Sequence, residues 1–321
     1  MNKAIVDNFY QLDPNCVLIS LEEAGFMPTG RYWQLNSYEN RVFDIELEKV
    51  NLKPDRVVAK FYRPNRWSRE AIQEEHQFLD DLRQEGISAV NPLVLSNGQT
   101  IMETNGIFFS VFPKVMGRSP QEFIAGELAQ VGRTLAKIHN VGAQTKAKHR
   151  PTWEMPARGQ DSLEVLEFRV PQGIWQRYLD ASLRIFDDLE KKLKPESFLR
   201  IHGDCHKGNL LHNGQEFFFV DFDDFGMGPA AQDFWMLFSG DSENEAEERE
   251  EILAGYSELR DFNVGDFKLM NALRGLRIVN YGAWIANRWD DPSFPRLFPN
   301  FESYNYWAEE VEALEKIAWS L

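Results

Sequence analysis

Apolar and polar residues alternate differently in the two parts of the chain. From Tyr32 to Leu47 the residues are rich in strand formers and are interrupted by the polar set Asn36-Ser37-Tyr38-Glu39-Asn40. Arg56 to Tyr62 reads as a second strand, closed by Pro64, which cannot donate to a ladder. Ser68 is placed to cap a helix running toward Gly86, with Glu70 in its first turn and Ile72, Phe78, Leu79 and Leu82 on one stripe. Asn97-Gly98 predicts a hairpin turn between Pro92 to Leu95 and Thr100 to Met102. Ile107 to Phe112 is a short apolar strand ending at Pro113.

After Pro113 the period lengthens. Leu128, Val131, Leu135 and Ile138 are spaced as one face of a helix. The polar, Pro-containing stretch from His139 to Gln172 reads as irregular, and Ile174, Tyr178, Phe186, Leu189 and Leu193 mark another helix. Short strands follow at Phe198 to Ile201, Asn209 to His212 and Glu216 to Asp221, with Asn213-Gly214 as a turn. Asp233 opens a helix, Ser242 to Glu251 forms a solvated acidic helix face, and Phe267 to Trp289 is a buried helix. The expected architecture is α+β and bilobal. A small antiparallel sheet with one helix occupies residues 1–112, and a larger, mainly helical lobe occupies residues 113–321.

Composition narrows the function. A chain of 321 residues can bury a large core without disulfides. With 35 Lys and Arg against 50 Asp and Glu, the net charge is −15, a poor match to a nucleic-acid backbone. Cys16 and Cys205 are the two cysteines, too few for a disulfide framework or a Cys-rich zinc site. The N-terminal residues lack the apolar core of a signal peptide, and no run approaches the roughly 18 apolar residues of a membrane span. A cytoplasmic monomer with no nucleic-acid or membrane partner is expected.

Candidate chemistry is concentrated in His202-Gly203-Asp204-Cys205-His206-Lys207-Gly208-Asn209 and in the later Asp221-Phe222-Asp223-Asp224. An Asp and an Asn five apart in a loop, followed by a strand-borne Asp, are the parts needed for phosphoryl transfer from a nucleotide. Asp204 would orient the attacking hydroxyl and accept its proton, while Asn209 and Asp221 would hold Mg²⁺ against the phosphates of ATP. Lys60 supplies a cation for the α/β-phosphates, oriented by Glu75 or, alternatively, Glu74. The turn holding Ser37 and Asn40 can present a hydroxyl and backbone N–H groups to phosphates, although it has no glycine. Adenine is expected near Val111, Phe112 and Pro113. His202 suits a loop-orienting role, His206 stands two residues from Asp204, and Asp233 suits a scaffold for the loop.

Together these segments, with Val131-Gly132-Arg133-Thr134-Leu135-Ala136-Lys137-Ile138-His139, resemble the aminoglycoside phosphotransferase and choline-kinase-like branch of the protein-kinase-like fold. They are most similar to its bacterial stress-response kinases. The resemblance implies an ATP- and Mg²⁺-dependent Ser/Thr protein kinase with Asp204 as proton acceptor, Asn209 and Asp221 as metal ligands, and Ser37 at the ATP phosphates. The protein substrate comes from the resemblance alone. A small-molecule hydroxyl acceptor is the alternative, and a nucleotide-sensing module without catalysis is a third reading. Two departures from ordinary protein kinases stand out. Asp-Phe-Asp replaces Asp-Phe-Gly, and the 11 residues between Asp221 and Asp233 leave no room for a long activation loop.

Overall fold

The computed structural model describes residues 3–10, 12–49, 54–153, 157–238 and 244–321. Five antiparallel strands form the first sheet: β1 (Pro28–Leu35), β2 (Arg41–Leu47), β3 (Arg56–Phe61), β4 (Met102–Thr104) and β5 (Ile107–Pro113), in the order β1-β2-β3-β5-β4. Side chains alternate across a strand. Phe43, Ile45, Val57, Ala59, Phe61, Phe109 and Val111 therefore share one face. Two helices absent from the expected layout cover it, α1 (Lys3–Tyr10) and α2 (Pro14–Glu23), through Phe9, Val17 and Leu21. Asp13 caps α2 by accepting from Cys16 N, and Pro14 follows at the first helical position. Val58, Lys60 and Phe112 point from the opposite face into a cleft.

The hairpin is displaced from its expected position. Its turn is Asn105-Gly106, both with positive φ (51° and 80°), joining β4 to β5. Asn97-Gly98 does turn the chain, with Leu95 N donating to Gln99 O, but the flanking residues form no ladder. Leu93 N instead donates to Val111 O, so this segment spends its hydrogen bond beside β5.

Helix α3 (Arg69–Gln84) begins at the Ser68 cap, whose hydroxyl accepts from Ala71 N. Its Phe78, Leu79 and Leu82 belong to the same core as Leu128, Val131, Leu135 and Ile138 of α4 (Glu127–Gly142). The single helix between β3 and β4 thus packs against the second half of the chain. The stretch from His139 to Gln172 is less irregular than expected. It contains the end of α4 and a further helix, α5 (Ala157–Leu166), whose Leu163 and Leu166 join a core with α6 (Gln172–Lys192).

The short strands β6 (Leu199–Ile201), β7 (Leu210–His212), β8 (Phe217–Phe219) and β9 (Gly226–Gly228) pair as β6–β9 and β7–β8. Asp233 lies in a 3₁₀ turn, Ala230–Asp233, and opens no α-helix. Residues 242 and 243 of the expected acidic helix lie outside the described residues. Its remainder is α7 (Glu245–Tyr256), which turns Ile252, Gly255 and Tyr256 inward. The buried helix is α8 (Lys268–Ala286), followed by α9 (Phe294–Leu297) and α10 (Tyr304–Ser320). Among the described residues, no helix is long and apolar enough to cross a membrane.

Helices α4 and α7 meet at backbone distance because glycine permits it. A Cβ on Gly255 would lie 1.9 Å from Ala129 O, and one on Gly132 would lie 2.1 Å from Ile252 O. Gly255→Ala is expected to destabilise the protein by about 1–3 kcal/mol through overpacking. Gly173→Ala, with nothing within 4 Å of the added carbon, should be close to neutral. Equal urea midpoints for the two variants would contradict the close approach.

Candidate active site

Lys60 leaves β3 on the cleft side and is 6% exposed. Its ammonium meets three carboxylates: Asp223 at 2.7 Å, Glu75 at 3.4 Å and Asp221 at 3.4 Å. Burial alone would lower the Lys60 pKa, but Asp223 and then Glu75 outweigh it and hold it well above the ordinary lysine value. Burial pushes the Glu75 carboxyl up, and Lys60 offsets part of that rise. Glu74 points elsewhere, accepting from Lys148 N at 2.7 Å and His149 N at 2.8 Å.

The loop after β6 is shaped by a buried carboxylate. Asp233 accepts from His202 N at 2.7 Å and Gly203 N at 2.8 Å, and its Oδ2 also meets His139 Nε2 at 3.2 Å. Gly203 has φ +85°, and a Cβ there would stand 2.2 Å from Asp224 O. His202 donates from Nε2 to Val220 O, while its Nδ1 accepts from Asp204 N. These bonds fix the Asp204 backbone. The Asp204 carboxylate is 2.8 Å from Arg277 on α8 and 3.4 Å from His206 Nε2. Burial opposes its ionisation, but the His206 hydrogen bond and the Arg277 charge hold it well below the usual carboxylate range.

Asn209 donates its amide to Asp204 O at 2.9 Å, which turns its Oδ1 away from that carbonyl. Asp221 follows β8 in a left-handed conformation, φ 61° and ψ 64°, uncommon for a non-glycine residue. Its side chain is 51% exposed, the most open of the Lys60 partners. Both Asn209 and Asp221 line the cleft. Two hard oxygen donors on one wall suit Mg²⁺, which takes few protein ligands and completes its shell with phosphate and water oxygens. No cluster of three His, Cys, Asp or Glu side chains suited to a metal occurs among the described residues.

Two adjoining cavities meet at this wall. The first, about 320 Å³, is bounded by Leu35, Val42, Val58, Leu79, Phe112 and Phe222, with Lys60, Glu75, Asn209 and Asp221 at its polar end. The second, about 520 Å³, is bounded by Asp204, His206, Arg277, Tyr281, Trp284 and Trp153. Asn36, Ser37, Gly208, Asn209 and Asp221 line both.

Two expected nucleotide contacts are placed differently. Val111 is fully buried on the helix-covered face of the sheet, because it pairs with Ala59 and strand alternation sends it away from the cleft. Asn40 lines the second cavity only, and its Oδ1 is used by Arg63 N at 3.1 Å while its own N–H donates to Ser37 Oγ. It closes the turn that presents Ser37.

Four residues around the site have no role legible in the sequence. Arg66 bridges Glu39 (2.6 Å), Asp223 (3.2 Å) and Asp224 (2.6 Å). Arg150 donates to the carbonyls of Phe222, Asp223 and Phe225. Glu39 also meets Arg288 at 2.8 Å and accepts from Trp284 Nε1 at 2.6 Å, tying the Ser37 turn to α8 and to Arg288, two residues past its end. Arg277 sits on α8, 73 positions beyond Asp204 in the chain (277 − 204), where no spacing rule points to it.

A sheet lobe and a helical lobe facing across such a cleft, with a buried lysine–carboxylate cluster at its polar end, define a phosphotransferase of the kinase-like fold. The family model described as "Phosphotransferase enzyme family" matches residues 34–267, and the chain belongs to that family. It is a kinase, which moves a phosphoryl group to a hydroxyl. Stress response kinase A of Escherichia coli (strain K12) is 35% identical over 306 residues, covering 94% of this chain and 92% of that protein. The serine/threonine protein kinase RdoA of Salmonella typhimurium is similar to the same extent, at 35% identity over the same shares. Among solved structures, amicoumacin kinase hAmiN, in complex with AMP-PNP, Ca²⁺ and Ami, superposes with a TM-score of 0.79. It is 19% identical and covers 100% of this chain and 96% of its own. The microcompartment-associated aminopropanol kinase superposes with a TM-score of 0.67 at 17% identity, covering 95% of each chain.

His76 lies beneath the cluster, its ring nitrogens against Tyr62 OH at 3.2 Å and Thr100 Oγ1 at 2.7 Å. Burial, then Lys60 and Arg150, lowers its pKa from 6.5 to about 3. The folded protein thus keeps His76 neutral while the unfolded chain takes up a proton. Its contribution is complete above pH 6.5 and is lost as pH falls through that value, at about 1.4 kcal/mol per pH unit. His76→Gln should flatten the loss of melting temperature between pH 7 and pH 5 relative to the parent. Parallel profiles would contradict a neutral His76.

Proposed function

We propose that this chain is an ATP- and Mg²⁺-dependent Ser/Thr protein kinase of the stress response, acting as a cytoplasmic monomer. The observation carrying the reading is the convergence of Lys60, Asn209 and Asp221 at the junction of the two cavities, with Asp204 on the far side of that junction. The names of relatives 35% identical over 94% of the chain support the protein acceptor and the stress role.

In this reading the lobes divide at Phe112–Pro113, and adenine occupies the apolar end of the first cavity against Val42, Val58 and Phe112. Lys60 contacts the α/β-phosphates, and the turn holding Ser37 faces the phosphates across the cleft. Asn209 and Asp221 hold the metal, which neutralises phosphate charge when bound. Asp204 takes an acceptor hydroxyl from the second cavity, directs it at the γ-phosphorus and receives its proton. Arg277 and His206 keep Asp204 ionised and oriented. Rate enhancement then comes from positioning and from charges already in place. A small-molecule hydroxyl acceptor is the second reading, favoured by the size of the second cavity, about 520 Å³.

Asp204→Asn should leave nucleotide affinity nearly unchanged and slow transfer by about 10²–10⁴-fold in single-turnover measurements with labelled ATP. Asp221→Ala should abolish the Mg²⁺ dependence of nucleotide binding, followed by titration calorimetry. Label on protein Ser or Thr after incubation with Mg-ATP supports the first reading, and label on a metabolite alone supports the second. Near-normal transfer by Asp204→Asn would remove it as the proton acceptor.

A further inference from the structure

The Asp-Phe-Asp sequence places a carboxylate where ordinary protein kinases have glycine, and the structure puts that carboxylate against Lys60. Asp223 Oδ1 is the nearest anion to the ammonium, 2.7 Å away against 3.4 Å for Glu75. Its other oxygen is also engaged, 3.2 Å from Arg66 and 3.4 Å from Trp67 Nε1. Asp223 is 4% exposed, whereas half of the Asp221 side chain is open to the cleft. Asp223 borders the second cavity, but both of its oxygens are already engaged, by Lys60 on one side and by Arg66 and Trp67 on the other.

The turn bearing Asp223 is also held independently of Lys60. Arg150 donates to the carbonyls of Phe222, Asp223 and Phe225, and Phe222 is buried against Phe78 and His202. The carboxylate is therefore presented from a fixed backbone that belongs to the helical lobe and not to α3.

We propose that Asp223 is a positioning residue, a second anchor that holds Lys60 from the helical lobe while Glu75 holds it from α3. The proposal rests on reading Lys60 as the cation for the nucleotide phosphates. In kinases that depend on one helix-borne Glu, displacing the helix removes the lysine's partner. Here the ammonium keeps an anchor when α3 moves, so the position of α3 alone does not decide whether Lys60 is in place.

A double-mutant cycle on nucleotide affinity tests this, with a fluorescent non-hydrolysable ATP analogue and Mg²⁺ on the full chain. D223N should raise the Kd about tenfold in the parent and less than about twofold in the K60M background, because an anchor acts only through what it anchors. The Mg²⁺ concentration for half-maximal binding should stay the same in D223N. Equal fold-changes in the two backgrounds would overturn the proposal, as would a shift in the Mg²⁺ requirement, which would make Asp223 a metal ligand. K60M that binds the analogue as tightly as the parent would overturn the phosphate reading of Lys60 and this proposal with it. Equal fold-changes alongside a weakened K60M would remove only the proposal. If thermal melting shows that D223N is unfolded, D223E takes its place in the cycle with the same expected outcomes.

Discussion

A lysine ammonium buried between two lobes is the constraint from which the site follows. Stripping water from a cation is costly unless anions replace it. Lys60 recovers that cost from Glu75 on α3 and from Asp221 and Asp223 on the turn after β8. The requirement to neutralise one charge thus joins the sheet, the helix that follows it and the helical lobe. The apolar residues of α3 follow the same geometry. Phe78 and Leu79, three and four positions after Glu75, pack into the core with α4 and Phe222, so helix and carboxylate are fixed together.

The second fixed object is the loop from His202 to Asn209. Its backbone N–H groups are bound by Asp233, buried beneath it, and its far end is held by the Asn209 amide on the Asp204 carbonyl. With the backbone held at both ends, Asp204 presents its carboxylate without relying on its own flexibility. Arg277 reaches that carboxylate from α8, and Glu39 links the Ser37 turn to Trp284 of the same helix. One long helix thereby contacts both the Asp204 carboxylate and the turn that holds Ser37. This shared support explains how short loops can be arranged to the tolerance that phosphoryl transfer needs.

Much of this was legible in the chain because it is local. Ser68 caps α3 as its position before the apolar stripe requires, and Asp204, Asn209 and Asp221, grouped by their spacing, all line the second cavity. What escaped was non-local or subject to competition. Asn105-Gly106 rather than Asn97-Gly98 makes the hairpin, because the residues before Asn97 hydrogen-bond to β5. Val111 looked like a cleft residue from its place in the chain. Pairing with Ala59 sends it to the face that α1 and α2 cover, and those helices were not anticipated. Arg66, Arg150 and Arg277 carry no motif, since a guanidinium partner is recognised only once folding has brought the carboxylates together. Asp223 stood in the quoted motif, but its role depends on a lysine 163 positions earlier (223 − 60).

The most direct measurement is a crystal structure with Mg²⁺ and a non-hydrolysable ATP analogue bound. The account predicts the base in the apolar cavity beside Phe112, and the metal touching Asn209 and Asp221. It also predicts the Lys60 ammonium on the α/β-phosphates, still in contact with Glu75 and Asp223. A phosphate chain that runs clear of Lys60, or a metal held away from Asn209 and Asp221, would contradict it.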